Sequence, residues 1–304
     1  MNDLVTDVKS LELETLKNLK SSKASNTLRA YKADFKDFAL FCQQNGLKSM
    51  PSEPKIITLY LTHLSKYSKF STLKRRLASI SVVHKLNGHY LDTKHPIITE
   101  NLLGIRRVKG TYQKAKKPIL INDLKLIINV INQDKDSKNK LKNKALVLVG
   151  FAGGFRRSEL VSVLCEDVEF VDEGVKIFVR RSKTDQSGEG MTKGIPYFSN
   201  PEYCPVISLK DWIEESGIKS GKIFSMSDKN VALIIKKYTA LAGLDQSKYS
   251  GHSLRSGFAT STAELGAEER SIMAMTGHKT TQMVRRYIKE ANLFKNNALN
   301  KIKI

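Results

Sequence analysis

Apolar residues recur at helical spacing in the first third of the chain. The segment from Ser21 to Gly46 opens with Ser and Asn, repeats apolar residues every three or four positions, and closes on Asn-Gly. This pattern predicts an N-capped amphipathic helix with a glycine stop. Two more helices are predicted in KIITLYLTHLSKY and FSTLKRRLASISVVHKLNG, and a short one around Thr99 to Leu103. The first hundred residues are therefore predicted to form a compact all-helical domain.

The second half of the chain mixes two periodicities. A helix is predicted in ILINDLKLIINVIN, capped by Asn122 or Asp123, and an apolar helix in ALVLVGFAGG. The segments EFVDEGVKIFVRRSKTD and GMTKGIPYF are rich in β-branched and aromatic residues and predict two strands of an antiparallel sheet. The helical pattern resumes at Pro205, with glycine breaks at Gly217, Gly243, Gly251 and Gly277. The predicted fold class is mainly α with a small antiparallel β-sheet.

The charge of the chain indicates the chemical class of its partner. Among 304 residues, 51 Lys and Arg oppose 30 Asp and Glu, for a net charge of +21. A polyanion is the expected partner, with nucleic acid ahead of an acidic membrane surface. No run of eighteen apolar residues and no secretory signal occurs, so we expect no membrane partner and a cytoplasmic location. Cys42, Cys165 and Cys204 lie far apart and are expected to be reduced and buried.

The most basic stretch of the chain separates its two halves. From Arg106 to Lys117, six of the twelve residues are basic and none is acidic. Such a run is typical of a solvated linker. We therefore predict a helical domain over residues 1–108, a basic linker over 109–117 and a second domain over 118–304.

Four places in the second half concentrate residues that can act on a phosphate. GFAGGFRRSEL carries Arg156 with Glu159 three positions later, and Lys183 lies where a predicted strand enters a polar loop. Each has an ordinary explanation as an exposed charge. In SGHSLRSGFA, His252 and Arg255 share one face of a helix near its amino terminus, where phosphate binds well.

The fourth place is TGHKTTQMVRRYI, which contains His278 and Tyr287. Nine residues make two and a half helical turns, so an unbroken helix would put these side chains on opposite sides. If both face one site, the chain must bend near KTTQM. The ordinary explanation of Tyr287 is a packed aromatic side chain.

Taken together, these residues have a shared chemical logic. Two arginines, two histidines, a lysine and a tyrosine, with no acidic cluster for Mg²⁺, suit a phosphoryl-transfer site that uses neither metal nor cofactor. Arginine forks neutralise the charge that develops on phosphate oxygens. A tyrosine hydroxyl becomes a usable nucleophile when cations surround it and a base takes its proton, and it leaves a covalent phosphotyrosine.

This ordered set resembles the tyrosine recombinases, also called the phage integrase family, over essentially the whole chain. The resemblance implies a helical core-binding domain and a mixed α/β catalytic domain of the DNA breaking-rejoining type, which together clamp duplex DNA. It implies that the arginines and His278 hold the phosphate, that Glu159 supports Arg156, and that His252 handles the proton of Tyr287. Lys183 would protonate the departing 5′ oxygen. Two of these role assignments stay open here. The catalytic lysine is Lys183 or Lys193 of the same hairpin, and the first arginine is Arg156 or its neighbour Arg157.

The resemblance also implies partners. We expect a homotetramer on two sites in double-stranded DNA, possible accessory directionality or bending proteins, and a tail in which Phe294 or Leu299 contacts another subunit. The side chains assigned to DNA contact are Lys74, Arg75, Arg76, Arg106, Arg107, Lys109, Lys114, Lys116 and Lys117.

Two other functions remain possible at this point. A type IB topoisomerase would use the same chemistry to relax DNA as a monomer. A catalytically silent DNA-binding protein would keep the fold without the reaction, although the presence of all six chemical residues argues against it. The sequence predicts a site-specific recombinase or integrase that cleaves and rejoins DNA through a 3′-phosphotyrosine.

Overall fold

The computed structural model of the protein describes residues 7–21, 24–111, 115–182, 185, 188–291 and 298–302. The chain divides into two compact units, Met1–Lys114 and Ala115–Ile304. The division falls within the segment predicted as a linker. Lys114 and Lys183, two of the predicted site residues, lie outside the described residues.

The described part of the first unit is all-helical. Its helices are α1 (Val8–Ser21), α2 (Ser25–Gln44), α3 (Pro54–Ser65), α4 (Phe70–Leu86) and α5 (Pro96–Lys109). Helix α1 was not predicted. Helix α5 is longer than the short helix expected around Thr99 to Leu103, and it extends to the first residue of the predicted linker. Pro96 stands at its first position, where a missing N–H costs nothing.

Helices α2 and α4 are joined by a buried ionic contact as well as by apolar packing. Asp34, 3% exposed, pairs with Arg75, lies 3.3 Å from Arg76 Nε and accepts from Ser79 Oγ at 2.7 Å. Around this contact the core contains Phe38, Ile57, Tyr60, Leu61, Leu64, Leu73 and Ile80. The predicted N-cap of α2 is wrong, because the helix begins at Ser25 after Ala24 and has no side-chain cap.

The second unit surrounds a small sheet with helices. Its elements are α6 (Ile121–Asn132), α7 (Ser137–Ala152), α8 (Arg157–Leu160), β1 (Val168–Val171), β2 (Gly174–Val179), β3 (Met191–Pro196), α9 (Pro205–Ser216), α10 (Asp228–Leu241), α11 (Ser253–Glu264), α12 (Glu269–Thr276) and α13 (Thr281–Ala291), with short 3₁₀ turns at Cys165–Asp167, Pro201–Tyr203, Gln246–Lys248 and Ala298–Lys301. The predicted cap of α6 is also wrong, since Leu120 precedes the helix and Asn122 and Asp123 lie in its first turn.

The fold class agrees with the prediction, but the described sheet has three strands rather than two. The order is β1-β2-β3 and both pairs are antiparallel. The segment EFVDEGVKIFV was predicted as one strand. It forms a hairpin instead, because Val171 pairs with Gly174 across a two-residue turn. In the β2–β3 register, Val175 pairs with Ile195 and Ile177 with Lys193, and all four side chains are buried on the core face.

Helix α7 lies at the centre of the second unit. Every residue from Ala145 to Ala152 is buried, and the helix packs against α6, α9 and α11. A helix that is apolar on all sides must be enclosed by neighbours. Gly153 follows directly, and the ring of Phe155 occupies the place where a Cβ atom would stand, at 2.1 Å. The chain therefore leaves α7 in a tight turn that leads to Arg156.

Residues 115–120 belong to the second unit. Lys117 N–H donates to Lys248 O at 2.7 Å, and Ile119 N–H donates to Ser253 O at 3.0 Å. Gly257 of α11 allows this approach, because a Cβ atom there would lie 1.9 Å from Ile119 O. The end of the predicted linker is thus anchored within the second unit.

Cys42 and Cys204 are buried as expected, whereas Cys165 is only partly buried, and all three are free thiols. None of the helices that the structure describes is long and apolar enough to span a bilayer.

Candidate active site

Arg156 lies in the turn between α7 and α8, where Glu159 holds it. Its Nη1 donates to Glu159 Oε1 at 2.5 Å, and its backbone N–H donates to Glu159 Oε2 at 2.9 Å. Glu159 is 2% exposed and the Arg156 side chain 17% exposed. A carboxylate that binds both the side chain and the backbone of one residue fixes the direction of the guanidinium.

The neighbouring Arg157 takes a different direction. Its Nη2 lies 3.7 Å from Asp228 Oδ2, and its side chain packs on Gly251, where a Cβ atom would meet Arg157 Cδ at 2.0 Å. Arg156 is the stronger candidate of the two for a clamp, because Glu159 orients it and its charge lowers the pKa of both Arg255 and His278.

Arg255 is the largest fully buried side chain of the described chain, at 1% exposed. It comes from the first turn of α11, and its Nη1 donates to Gly154 O at 2.8 Å. Burial and the nearby charge of Arg156 lower the pKa of Arg255 to about 10. The guanidinium remains charged at neutral pH, so the site holds a buried cation without a carboxylate paired directly to it in the described structure.

His278 supports Arg255 through a defined tautomer. The Thr276 hydroxyl donates to Ile272 O at 2.6 Å, so its oxygen must accept from His278 Nδ1–H at 2.8 Å. The other ring nitrogen, Nε2, then carries no proton and accepts from Arg255 Nη2 at 3.0 Å. Burial, followed by the charges of Arg255 and Arg156, lowers the pKa of His278 to about 4. The imidazole is therefore neutral near pH 7.

A break in the helix brings Tyr287 back to this group. Helix α12 ends at Thr276, Gly277 adopts a left-handed conformation with φ of 62°, and α13 begins at Thr281. The predicted break is present, but it begins at Gly277, one residue before His278, and only the first two residues of KTTQM lie in it. The two rings lie 6.1 Å apart, centroid to centroid.

The Tyr287 hydroxyl faces His252, which stands directly before the first residue of α11. The distance from Tyr287 Oη to His252 Nε2 is 3.4 Å, longer than a usual hydrogen bond, as catalytic contacts often are before substrate binds. The His252 residue is exposed to solvent. Desolvation by neighbouring groups, then the charges of Arg255 and Arg156, lower its pKa below the ordinary histidine value. A neutral imidazole thus faces the tyrosine hydroxyl near pH 7.

Comparison with known proteins identifies the family to which this arrangement belongs. The phage integrase family model matches residues 119–293. An integrase/recombinase XerD homolog of Selenomonas ruminantium is 42% identical over 277 residues, which is 86% of this chain and 81% of the relative. The chain belongs to the phage integrase family. It is a tyrosine recombinase, an enzyme of DNA recombination.

More distant relatives of this recombinase extend the comparison. A tyrosine recombinase of Agathobacter rectalis is 27% identical over 239 residues, covering 75% of this chain and 74% of the relative. Among solved structures, XerH recombinase bound to difH substrate before cleavage has a TM-score of 0.61 at 15% identity, covering 89% of this chain and 79% of that one. A lambda integrase dimer bound to a core site has a TM-score of 0.60 at 17% identity, covering 96% and 78%. At these identities the structural likeness concerns the fold.

Five of the six predicted chemical residues of the recombinase come together in the second unit: Arg156, His252, Arg255, His278 and Tyr287. Lys183 lies outside the described residues. Lys193, the alternative lysine, is 1% exposed and points into the core. Among the described residues, no group of three or more His, Cys, Asp or Glu side chains is arranged to hold a metal ion.

The predicted DNA-contact residues fall into three groups. Lys74, Arg106, Arg107 and Lys109 have exposed side chains on the helical unit. Arg75 and Arg76 contact buried Asp34, so at least part of their charge joins α2 to α4. Lys116 and Lys117 bind other residues of the second unit: Lys116 Nζ donates to Ser247 O at 2.5 Å and Lys117 Nζ lies 3.3 Å from Asp123 Oδ2. Their part in DNA binding stays a prediction.

Thr276 is a site residue that the sequence reasoning did not identify. Only His278 was assigned from the TGH triplet, although the threonine sets the tautomer of that histidine. The sequence feature that could have identified Thr276 is its position two residues before His278 and directly before Gly277, the glycine that ends α12. Its partner could not be found from sequence, because the helix break determines which way the imidazole turns.

Proposed function

We propose that this protein is a site-specific recombinase that cleaves and rejoins duplex DNA through a covalent 3′-phosphotyrosine at Tyr287. The observation that carries the proposal is the meeting of the Tyr287 hydroxyl with neutral His252 beside Arg156 and Arg255. A nucleophile, a base and two cations in one site are the parts that phosphoryl transfer needs.

Each group takes a definite part in the cleavage step. Tyr287 Oη attacks the scissile phosphorus and gives its proton to His252 Nε2. The bond from phosphorus to the 5′ oxygen breaks, and that oxygen takes a proton from an acid, which the family resemblance assigns to Lys183. Arg156 and Arg255 neutralise the phosphate oxygens, and His278 holds Arg255 in place. One phosphodiester bond replaces another, so the reverse reaction rejoins strands without ATP.

A covalent adduct tests the proposal. The substrates are nicked duplexes of random sequence. After cleavage, the short downstream fragment that carries the free 5′ hydroxyl diffuses away, so the enzyme stays covalently bound to DNA. Sequencing of the protein-linked DNA then maps the cleavage site. We expect an adduct from the wild type and none from Tyr287→Phe. The control is Tyr197→Phe, which removes a hydroxyl from an exposed tyrosine of the same unit. An undiminished adduct from Tyr287→Phe would refute the assignment of the nucleophile.

The mapped cleavage site, cloned into a plasmid, separates the competing functions. On a supercoiled plasmid with two mapped sites we expect strand exchange between the sites, whereas relaxation of a one-site plasmid without exchange is the result for a type IB topoisomerase. A protein that binds the mapped DNA and never forms an adduct is the silent alternative. The family and the XerD homolog support exchange.

We further propose that the enzyme acts as a homotetramer on two DNA sites in the cytoplasm, where that DNA is found. One structural neighbour is a lambda integrase tetramer bound to a Holliday junction. In the tail, Leu299 and Ile302 are 67% and 57% exposed, which suits contact with another subunit, while Phe294 lies outside the described residues. A protein truncated after Asn292 is expected to lose assembly and exchange. Normal recombination by this variant would contradict the proposed contact.

A further inference from the structure

A lysine is buried beneath the active site without a place in the reaction. Lys193 lies on the core face of β3, opposite Ile177 of β2, and is 1% exposed. Lysine is almost never buried so completely unless its charge is paired. An apolar residue would satisfy this position of the sheet, so the ammonium calls for a specific explanation.

The ammonium of Lys193 is bound to backbone carbonyls and an aromatic ring. Nζ donates to Gly153 O at 2.8 Å and to Met275 O, and it lies 4.9 Å from the centroid of the Phe155 ring. Its three N–H groups therefore have two carbonyls and the face of an aromatic ring around them. No path to a departing DNA oxygen is left for this amine, which argues against Lys193 as the proton donor.

The two carbonyls belong to the ends of two different helices. Gly153 caps the carboxyl end of α7, and Met275 lies in the last turn of α12. Such ends carry unsatisfied carbonyls and a partial negative charge, which a cation stabilises. A single side chain of β3 thus joins two helix ends that are far apart in sequence.

Each of these helix ends leads directly into the active site. After Gly153 come Gly154, whose carbonyl accepts from Arg255, then Phe155 and Arg156. Three residues after Met275 comes His278, which accepts from the other side of the same guanidinium. The separation between the two helix ends therefore sets the separation between the two partners of Arg255.

We propose that Lys193 is a positioning residue of the recombinase, whose charged ammonium clamps the ends of α7 and α12 and so holds Arg255 and His278 in register for phosphate binding. The inference rests on the proposed cleavage reaction. The titratable groups around this lysine are Glu159 and Arg156 on the α8 side, Arg255 of α11 and the neutral His278 after α12. Burial is the main cause that lowers the pKa of Lys193 to about 8. The charge of Glu159 raises this pKa, and the charges of Arg255 and Arg156 lower it.

The test compares variants in single-turnover cleavage of the nicked duplex, in DNA affinity and in thermal stability. Lys193→Met keeps the length of the side chain and removes the charge. We expect cleavage about 10²-fold slower, the usual result of a displacement near 1 Å in an active site, with unchanged DNA affinity. Lys193→Arg should recover much of the rate. The matched control is Lys176→Met, which removes an exposed charge from the adjacent strand and should cleave normally.

Two readouts separate positioning from a purely structural role. Removal of the charge should raise the pKa of His278, measured by NMR, because Lys193 is one of the cations that lower it. Wild-type cleavage should fall as pH rises through about 8, and Lys193→Arg should lack that fall since arginine stays protonated. A folded Lys193→Met that cleaves at the wild-type rate overturns the inference. If that variant does not fold, an alkaline fall unchanged in Lys193→Arg overturns it.

The same experiment keeps the two proposals apart. If the wild type itself forms no adduct, the proposed reaction fails, whatever the lysine does. If the wild type forms the adduct and all Lys193 variants match it, only the positioning role fails.

Discussion

Replacement of Thr276 by valine gives a direct test of how the site orients its second histidine. Thr276 is fully buried, and its hydroxyl accepts from His278 Nδ1–H while donating to Ile272 O. Valine has the same shape, so no cavity forms. What changes is that the Nδ1 proton loses its acceptor.

Neither tautomer of His278 is satisfied in this variant. With the proton on Nδ1, the ring has a buried donor without an acceptor. With the proton on Nε2, this N–H faces another donor, Nη2 of Arg255, which lies 3.0 Å from Nε2 in the wild-type protein. An unpaired buried donor costs about 1–3 kcal/mol. If the whole penalty falls on the placement of Arg255, cleavage slows by about 5- to 150-fold.

The assay measures both the tautomer of His278 and the rate of DNA cleavage. Long-range ¹H–¹⁵N NMR of the histidine rings reports the tautomer of His278, and single-turnover cleavage of the nicked duplex reports the rate. Thr260→Val is the matched control, because Thr260 is 3% exposed in α11 and its hydroxyl has no hydrogen-bond partner among the described residues. It should be neutral or stabilising. A Thr276→Val protein that keeps the Nδ1–H tautomer and the wild-type rate would refute the reasoning.

Three further predictions concern buried ionisable groups. Glu159→Gln should slow cleavage by about 10²–10³-fold, measured in single turnover, because Arg156 loses the carboxylate that aims it. Asp34→Asn should destabilise α2 and α4 by about 3–5 kcal/mol in hydrogen exchange of the full chain, whereas Asp37→Asn, at a side chain 46% exposed, should have a small effect. Because the pKa of His278 falls to about 4 from 6.5, the unfolded chain binds more protons between these values. The stability from neutral His278 is therefore present above pH 6.5 and lost towards pH 4 in urea titrations.

Local patterns determined much of the fold. The helical spacing of apolar residues indicated α2, α3, α4, α6 and α7, and the glycines at 217 and 277 end helices in left-handed conformations. These features depend on residues close together along the chain, so they can be predicted from the sequence. The helix starts at Ser25 and Ile121 and the length of α5 were less well predicted, because competing caps lie close together and packing decides among them.

Ordered motifs likewise indicated the candidate chemical residues, because phosphoryl transfer restricts which side chains can serve. Their support was decided only by tertiary structure. Lys193 binds carbonyls 40 and 82 residues away along the chain, and Asp34 pairs with Arg75 across 41 residues. A buried charge must find its partner wherever the fold brings one, and no local pattern encodes that distance. The sequence by itself indicated the groups that we propose for the reaction, and the packing of α7, α11, α12 and β3 decided how those groups are held.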